Sequence, residues 1–206
     1  LAARLAGILA AIHAVDATPV LGPPPRAADV APRELARWST ELAATPQART
    51  PVVDRAVAWL GAHLPPPPHR VTLVHADYRT GNVLHGHGDP GLPDGFRMVL
   101  DWEMAHLGDP IEDVAWAQLV CWRVGTGRVG ALVEPARWRA LYEQASGHAV
   151  DAAALRWWEV LGSVKMAFLL ERAAARTEHA ERALLQRLIA EIADELEQLL
   201  AGEVRA

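Results

Sequence analysis

Cysteine is almost missing from this sequence: Cys121 is the only one in 206 residues. One thiol excludes an internal disulfide framework and places the chain with intracellular proteins, and Cys121 itself reads as a small buried hydrophobe rather than a nucleophile. Lysine is equally scarce, with Lys165 alone, and the formal net charge is −5 with the basic residues scattered. That pattern offers no basic stripe for nucleic acid and no cationic face for an anionic membrane. No run approaches the ~20 apolar residues of a bilayer-spanning helix, and the first residues lack the basic start and cleavage site of a secretory signal. A soluble, cytoplasmic protein without nucleic-acid or membrane partners is the expectation. Only three serines occur, Ser39, Ser146 and Ser163. All fall in helical patterns and none sits in G-x-S-x-G, which argues against a serine hydrolase.

What the chain does have is a core in prospect, since 51% of it is hydrophobic; one large domain, or one domain with subdomains, can form. Helix-period segments dominate, over Leu1–Val15, Pro32–Ala44, Pro51–Leu64, Pro110–Val124, Pro135–Gly147, Asp151–Arg176 and Ala180–Leu200. Four of them open with proline, whose missing N–H costs nothing in a first helical turn. Leu155 to Leu170 is apolar on nearly every side, the mark of a central buried helix, whereas the last segment is amphipathic. Pro-rich stretches around Pro23 and after Leu64 read as stiff connectors. Strand character is confined to Val71–Asp101, as "VTLV", "NVLH" and "FRMVLD". The sum is a mainly α protein with one small antiparallel β ribbon. Because an apolar helical face is already under way at Leu1, the sequence reads as a fragment.

The same strand-bearing segment gathers the chemistry. If the second and third runs pair about the middle of the Gly86–Gly95 loop, Val83 faces Leu100, Leu84 faces Val99, and Asn82 comes beside Asp101. An amide oxygen and a carboxylate would then meet at one ribbon end, with Asp77 in the preceding loop. Hard oxygen ligands that leave room for water and phosphate suit Mg²⁺. A separate carboxylate nearby can orient a hydroxyl and take its proton during phosphoryl transfer. Asp77, Asn82 and Asp101 have the types for those roles, and His75 reads as a hydrogen-bonded brace of the loop.

His75-Ala76-Asp77-Tyr78-Arg79-Thr80-Gly81-Asn82 has the spacing of the kinase catalytic loop H-x-D-x-x-x-x-N, and Asp101 stands where the metal-binding Asp of D-F-G would stand. With "LVHADYRTGNVLH" and "VLDWEMAHLGDPIEDVAW" around them, these motifs resemble the aminoglycoside phosphotransferase/choline kinase family. They look most like its branch related to the kinase-like domain of certain acyl-CoA dehydrogenase proteins. The resemblance implies the C-terminal lobe of a protein-kinase-like α+β fold, divided into leading helices and linkers (1–70), a catalytic and metal-binding segment (71–124) and a helical acceptor-binding part (125–206). It implies ATP or another nucleoside triphosphate and Mg²⁺ as cofactors, and a small-molecule hydroxyl as acceptor. Asp77 would be the catalytic base, with His75 and Arg79 in the same loop. Asn82 and Asp101 would ligate Mg²⁺ and so bind the nucleotide, and Leu84 would lie under adenine. Arg79 has two readings, as a phosphate or substrate contact and as a salt-bridge partner.

A kinase of this type also needs a glycine-rich loop and a strand lysine over the phosphates, and Lys165, in a late helix, is no candidate. The expectation is therefore that the nucleotide-binding N-terminal lobe is missing from these residues and is a partner in function. Other readings stay open: a noncatalytic kinase-like binding module, or a metal-dependent hydrolase using His75, His85 and His87. Gly86–Gly91 formally matches G-x-G-x-x-G, but between two strands that match is coincidence. Asp109, Pro110 and Glu112 read as a capping box, Asp113 as a helix-dipole partner or a brace of the catalytic loop, and Glu103 as a possible contact to a second metal or to substrate.

Overall fold

A computed structural model describes residues 1–86, 95–177 and 179–202. The described residues form eight α-helices and two short antiparallel ribbons: α1 (Ala2–His13), α2 (Thr18–Leu21), α3 (Val30–Ala43), α4 (Pro51–Ala62), β1 (Thr72–Val74), β2 (Val83–His85), β3 (Phe96–Val99), β4 (His106–Gly108), α5 (Ile111–Ala117), α6 (Pro135–Ser146), α7 (Ala152–Ala174) and α8 (His179–Ala201). The mainly α expectation holds, but the single ribbon does not. β2 pairs with β3, while β1 pairs with β4, Thr72 opposite Gly108 and Val74 opposite His106. The three residues of β4 are too few to show an alternating pattern, so the second ribbon left no trace in the sequence.

α7 is the axis of the body. Asp151 caps it by accepting from the Ala154 N–H at 2.8 Å. Trp157, Trp158, Leu161, Val164 and Phe168 then bury almost completely, as the all-round apolar run requires. Gly162, in its middle, is set by packing: a Cβ there would press on Leu119 at 3.3 Å. One continuous core runs from Ala2 and Leu5 through Trp116 and Trp138 to Ile192 and Leu196. Trp116, Trp138, Trp157 and Trp158 belong to it, and the half-buried Trp122 packs against it.

Several boundaries move. α3 starts at Val30, two residues before the expected Pro32. The Pro23 connector contains the one-turn α2. The segment expected as Pro110–Val124 breaks into α5 and a 3-10 turn over Val120–Arg123, closed by Val124 at φ 51°. Pro110 rather than Asp109 is the N-cap residue of α5, although the Asp109 Oδ1 accepts from the Ile111 N–H at 2.9 Å just ahead of the helix. Glu112 does not reach back to complete a capping box; its carboxylate turns inward to the Lys165 ammonium at 2.5 Å. A buried ammonium holds a carboxylate more strongly than a neutral backbone N–H does. Among the described residues no helix is long and apolar enough to cross a membrane. Cys121 is partly buried, and burial pushes its thiol up.

A cavity between α7 and α8 is lined by Gln118, Arg123, Arg139, Glu159 and Glu195. Burial, with the Glu195 charge, raises the Glu159 carboxyl to about 7, against the Gln118 hydrogen bond and the charges of Arg123 and Arg139. A carboxyl raised in the folded state holds its proton there more tightly than in the unfolded chain. Its contribution to stability is complete below the unfolded value and is lost as pH rises through about 7. Urea unfolding across pH 5–8 is expected to show a loss of about 2–3 kcal/mol from this group that Glu159→Gln abolishes. Parallel profiles for the two proteins would show Glu159 titrating as an ordinary carboxylate.

Candidate active site

The loop from His75 to Asn82 leaves β1 in a conformation that α5 dictates. Ala76 sits at φ 66°, a left-handed backbone that costs a non-glycine residue about 1–2 kcal/mol. The carboxylate of Asp113, fully buried in the first turn of α5, supplies the compensation: Oδ2 accepts from the His75 N–H and Oδ1 from the Ala76 N–H, both at 2.8 Å. Oδ2 also receives the His13 Nε2–H at 3.1 Å, and His13 Nδ1 accepts from the Tyr142 hydroxyl at 2.7 Å. Burial, then the Asp113 charge, pushes the Tyr142 phenol up, so it remains a donor. A chain from α6 through α1 to α5 thus ends on the backbone of the loop. Asp113 is the brace of the loop rather than only a partner of the helix dipole.

His75 is a brace as well. Its Nδ1 accepts from the Asp77 N–H at 3.2 Å, and its Nε2 donates to the Leu100 carbonyl at 2.9 Å. Those two bonds fix the tautomer and leave neither ring nitrogen for proton transfer or a metal. A transition-metal site on His75, His85 and His87 is therefore excluded at His75. His85 is exposed beside Phe96, and His87, like most of the Gly86–Gly91 match, lies outside the described residues.

Asp77 is the most heavily bonded group of the loop. Oδ1 accepts from the Trp116 indole N–H at 2.7 Å and from the Arg79 Nε–H at 3.2 Å, and Oδ2 accepts from the Asn82 amide at 2.6 Å. The Asn82 Nδ2 also donates to the Asp77 carbonyl at 2.9 Å. Because both neighbours are acceptors, the amide orientation is fixed by chemistry, and its oxygen is the atom left for a ligand. Arg79 pairs with Asp77 and lies 4.4 Å over the Trp122 ring, the salt-bridge alternative of its two readings.

The β2–β3 register differs by one residue from the expected pairing. Val83 faces Val99 and Leu84 faces Met98, with a bulge before His85. Asn82 is opposite Leu100, whose N–H donates to the Asn82 carbonyl at 2.8 Å, and Asp101 lies one residue beyond. Next to the loop His85 faces Phe96 and the Gly86 N–H donates to the Gly95 carbonyl, and the bulge between Leu84 and His85 offsets the partners by one residue, which is one short of setting Leu100 opposite Val83. Asp101 nevertheless stays at the ribbon end. It adopts φ 70°, leaving the strand direction with its carboxylate exposed. His75 and Asn82 both bond the backbone of Leu100 and so fix the residue from which Asp101 departs. Glu103 follows in an exposed turn. Leu84, 45% exposed, shares the outward ribbon face with Met98 and Leu100, next to Trp102.

Three contributors escaped the sequence reading: His13, Tyr142 and Trp116. Trp116 was findable, since it follows Asp113 by three residues and so shares its face of α5. His13 and Tyr142 are joined to the site only by tertiary packing.

Replacing Asp113 tests this wiring. Asp113→Ala orphans two buried backbone donors and the His13 donor, and a loss of about 3–5 kcal/mol is expected in urea unfolding. The amides of His75 and Ala76 should lose hydrogen-exchange protection ahead of the core. Unchanged protection there would show that the loop holds its shape by other means.

Comparison with known proteins converges on one group. The curated relatives include mouse acyl-CoA dehydrogenase family member 10, 35% identical over 113 residues, covering 54% of this chain and 10% of that protein. Chicken acyl-CoA dehydrogenase family member 11 is 29% identical over 101 residues, covering 48% of this chain and 12% of that protein. Among solved structures, a Ralstonia eutropha protein described as a candidate aminoglycoside phosphotransferase superposes with a TM-score of 0.70 at 22% identity, over 96% of this chain and 64% of that one. A spectinomycin phosphotransferase, solved with ADP and spectinomycin, gives 0.55 at 17%, over 96% and 65%. This chain thus spans about a tenth of the curated relatives and just under two thirds of the solved chains, which share its fold. The sequence model of the phosphotransferase enzyme family matches residues 1–158, from α1 through the His75 loop, Asp101 and Asp113 into α7, and this chain belongs to that family.

Proposed function

We propose that these residues are the catalytic and acceptor-binding part of a kinase that transfers the γ-phosphate of ATP to the hydroxyl of a small molecule. The observation that carries the reading is the state of the Asp77 carboxylate. Trp116, Arg79 and Asn82 hold it in place from three sides, yet it keeps acceptor capacity on Oδ2 for an incoming hydroxyl. A base held this way orients the hydroxyl and takes its proton as the oxygen attacks phosphorus. The same hydrogen bonds leave the Asn82 oxygen unspent, and the turn at Asp101 presents a second hard oxygen donor. That donor set fits Mg²⁺, which when bound neutralises charge developing between the β and γ phosphates. Arg79, ion-paired to Asp77, would turn from that pair to meet the acceptor or the transferred phosphate.

The lysine that kinases use against the α and β phosphates has no counterpart among the described residues, because Lys165 is spent on Glu112 inside the body. We infer that a separate nucleotide-binding lobe supplies it and covers the apolar outward face formed by Leu84, Met98 and Leu100. Adenine would then be enclosed against Leu84.

Calorimetry with Mg²⁺ and ATP, on this chain and on a form extended upstream, tests the reading. Binding and hydroxyl-dependent turnover are expected in the extended form. There, Asn82→Ala and Asp101→Ala should weaken Mg²⁺-dependent nucleotide binding at least tenfold. Asp77→Ala should leave binding within a few-fold and lower turnover by 10²–10⁴, the range of a lost general base. Full turnover with Asp77 and Asp101 both replaced would overturn it.

A further inference from the structure

A second polar cluster lies away from Asp77, on the side of the body where α3, β4 and α5 meet. Glu34 of α3, His106 of β4 and Glu112 of α5 each present one atom to a common point, all three within 4.8 Å of one another. His106 Nε2 is 3.3 Å from Glu112 Oε2 and 4.0 Å from Glu34 Oε1. Neither His106 Nε2 nor Glu112 Oε2 has a hydrogen-bond partner, although Glu112 is only 3% exposed. Buried polar atoms left open in this way are uncommon and call for a ligand or a proton.

The remaining heteroatom of each residue is held. His106 Nδ1 donates to the Met104 carbonyl at 3.1 Å, which turns Nε2 inward. Glu112 Oε1 is taken by Lys165 at 2.5 Å, and Glu34 Oε2 by the Trp38 indole N–H at 3.2 Å. Outer partners that fix ring orientation and carboxylate direction are what a metal site needs beyond its ligands. Arg37 Nη1 stands 3.7 Å from Glu34 Oε1 on a half-exposed side chain, loose enough to swing away. The two carboxylates favour a proton on His106, so a metal here would displace that proton, and with Arg37 swung away it would meet two carboxylates against one lysine. A cleft of about 400 Å³, lined by Pro23, Arg33, Glu34 and His106 among others, leads to it from solvent.

From these contacts we propose that Glu34, His106 and Glu112 form a binding site for a divalent transition metal, with Zn²⁺ the best match. Two carboxylate oxygens and one imidazole nitrogen suit Zn²⁺, whereas Mg²⁺ disfavours the imidazole. Ligands at about 2.0–2.2 Å from zinc sit roughly 3.4 Å apart on a tetrahedron. The His106–Glu112 separation already meets that spacing, and Glu34 needs to close on His106 by about half an ångström. The fourth position faces the cleft and takes water. The metal would tie α3 to β4 and α5, one residue before the Asp113 brace.

Zinc titration of the chelator-treated chain, followed by calorimetry, tests the site. One Zn²⁺ per chain is expected at micromolar Kd or tighter, with a rise in Tm of several degrees. His106→Asn and Glu34→Gln should each weaken binding at least tenfold while circular dichroism shows both variants folded. The exposed pair His69 and His148, with ring centroids 4.1 Å apart, is the competing zinc trap, and His69→Asn/His148→Asn should leave the 1:1 event intact. Co²⁺ should give visible ligand-field bands in the wild type that His106→Asn removes. Zinc binding that follows His69 and His148, or that survives loss of both His106 and Glu34, would overturn the proposal. So would no binding at all, which would identify His106 as a proton-bearing partner of the two carboxylates.

Discussion

The buried carboxylate of Asp113 is the constraint on which the candidate site depends. It accepts from two consecutive backbone N–H groups of the loop and from His13, so one side chain fixes both a left-handed residue and the exit angle of β1. Consecutive N–H groups converge on one anion only where the backbone turns sharply, and Ala76 supplies that turn. A buried carboxylate without such donors would be strongly unfavourable. The loop needs Asp113 for its shape, and Asp113 needs the loop for its charge.

From that joint, order passes along short hydrogen bonds. His75 spans from the loop to Leu100, Asn82 spans from the loop to the opposite strand, and Trp116 reaches from α5 to Asp77. Each link carries a tautomer or an amide orientation that its neighbours leave no freedom to change. The body behind supplies rigidity. α7 is packed on all sides, and the Lys165 ammonium, enclosed between Trp38 and Trp116 and bonded to Glu112, locks α5 to it. Burial disfavours a charged His106, yet the Glu112 and Glu34 carboxylates win and raise it to about 9.

The short chemical motif was readable because its meaning lies in spacing along the chain: His75, Asp77 and Asn82 are separated by fixed numbers of residues, and one loop carries all three. The long helices were readable for a similar reason, since α7 and α8 repeat their pattern over many turns. What escaped depended on partners distant in sequence. β4 is too short for periodicity. The β2–β3 register, Val83 opposite Val99 rather than Leu100, depends on a bulge between Leu84 and His85 that no residue type announces. Glu112 was assigned to a helix cap because the local alternative was visible and the Lys165 ammonium, 53 residues away, was not. The Tyr142–His13–Asp113 chain joins three segments that nothing in their local sequence connects.

The position of Lys165 also determines how this protein presents itself to chemistry from outside. Its side chain is 2% exposed and bonded to a carboxylate, and it is the sole lysine in the sequence. Amine-directed reagents, whether acylating labels, lysine crosslinkers or enzymes that acetylate or ubiquitinate lysine, find no side-chain target on these residues while they are folded. Modification at Lys165 would therefore report unfolding, and a mass shift there would serve as an internal gauge of how often the body opens.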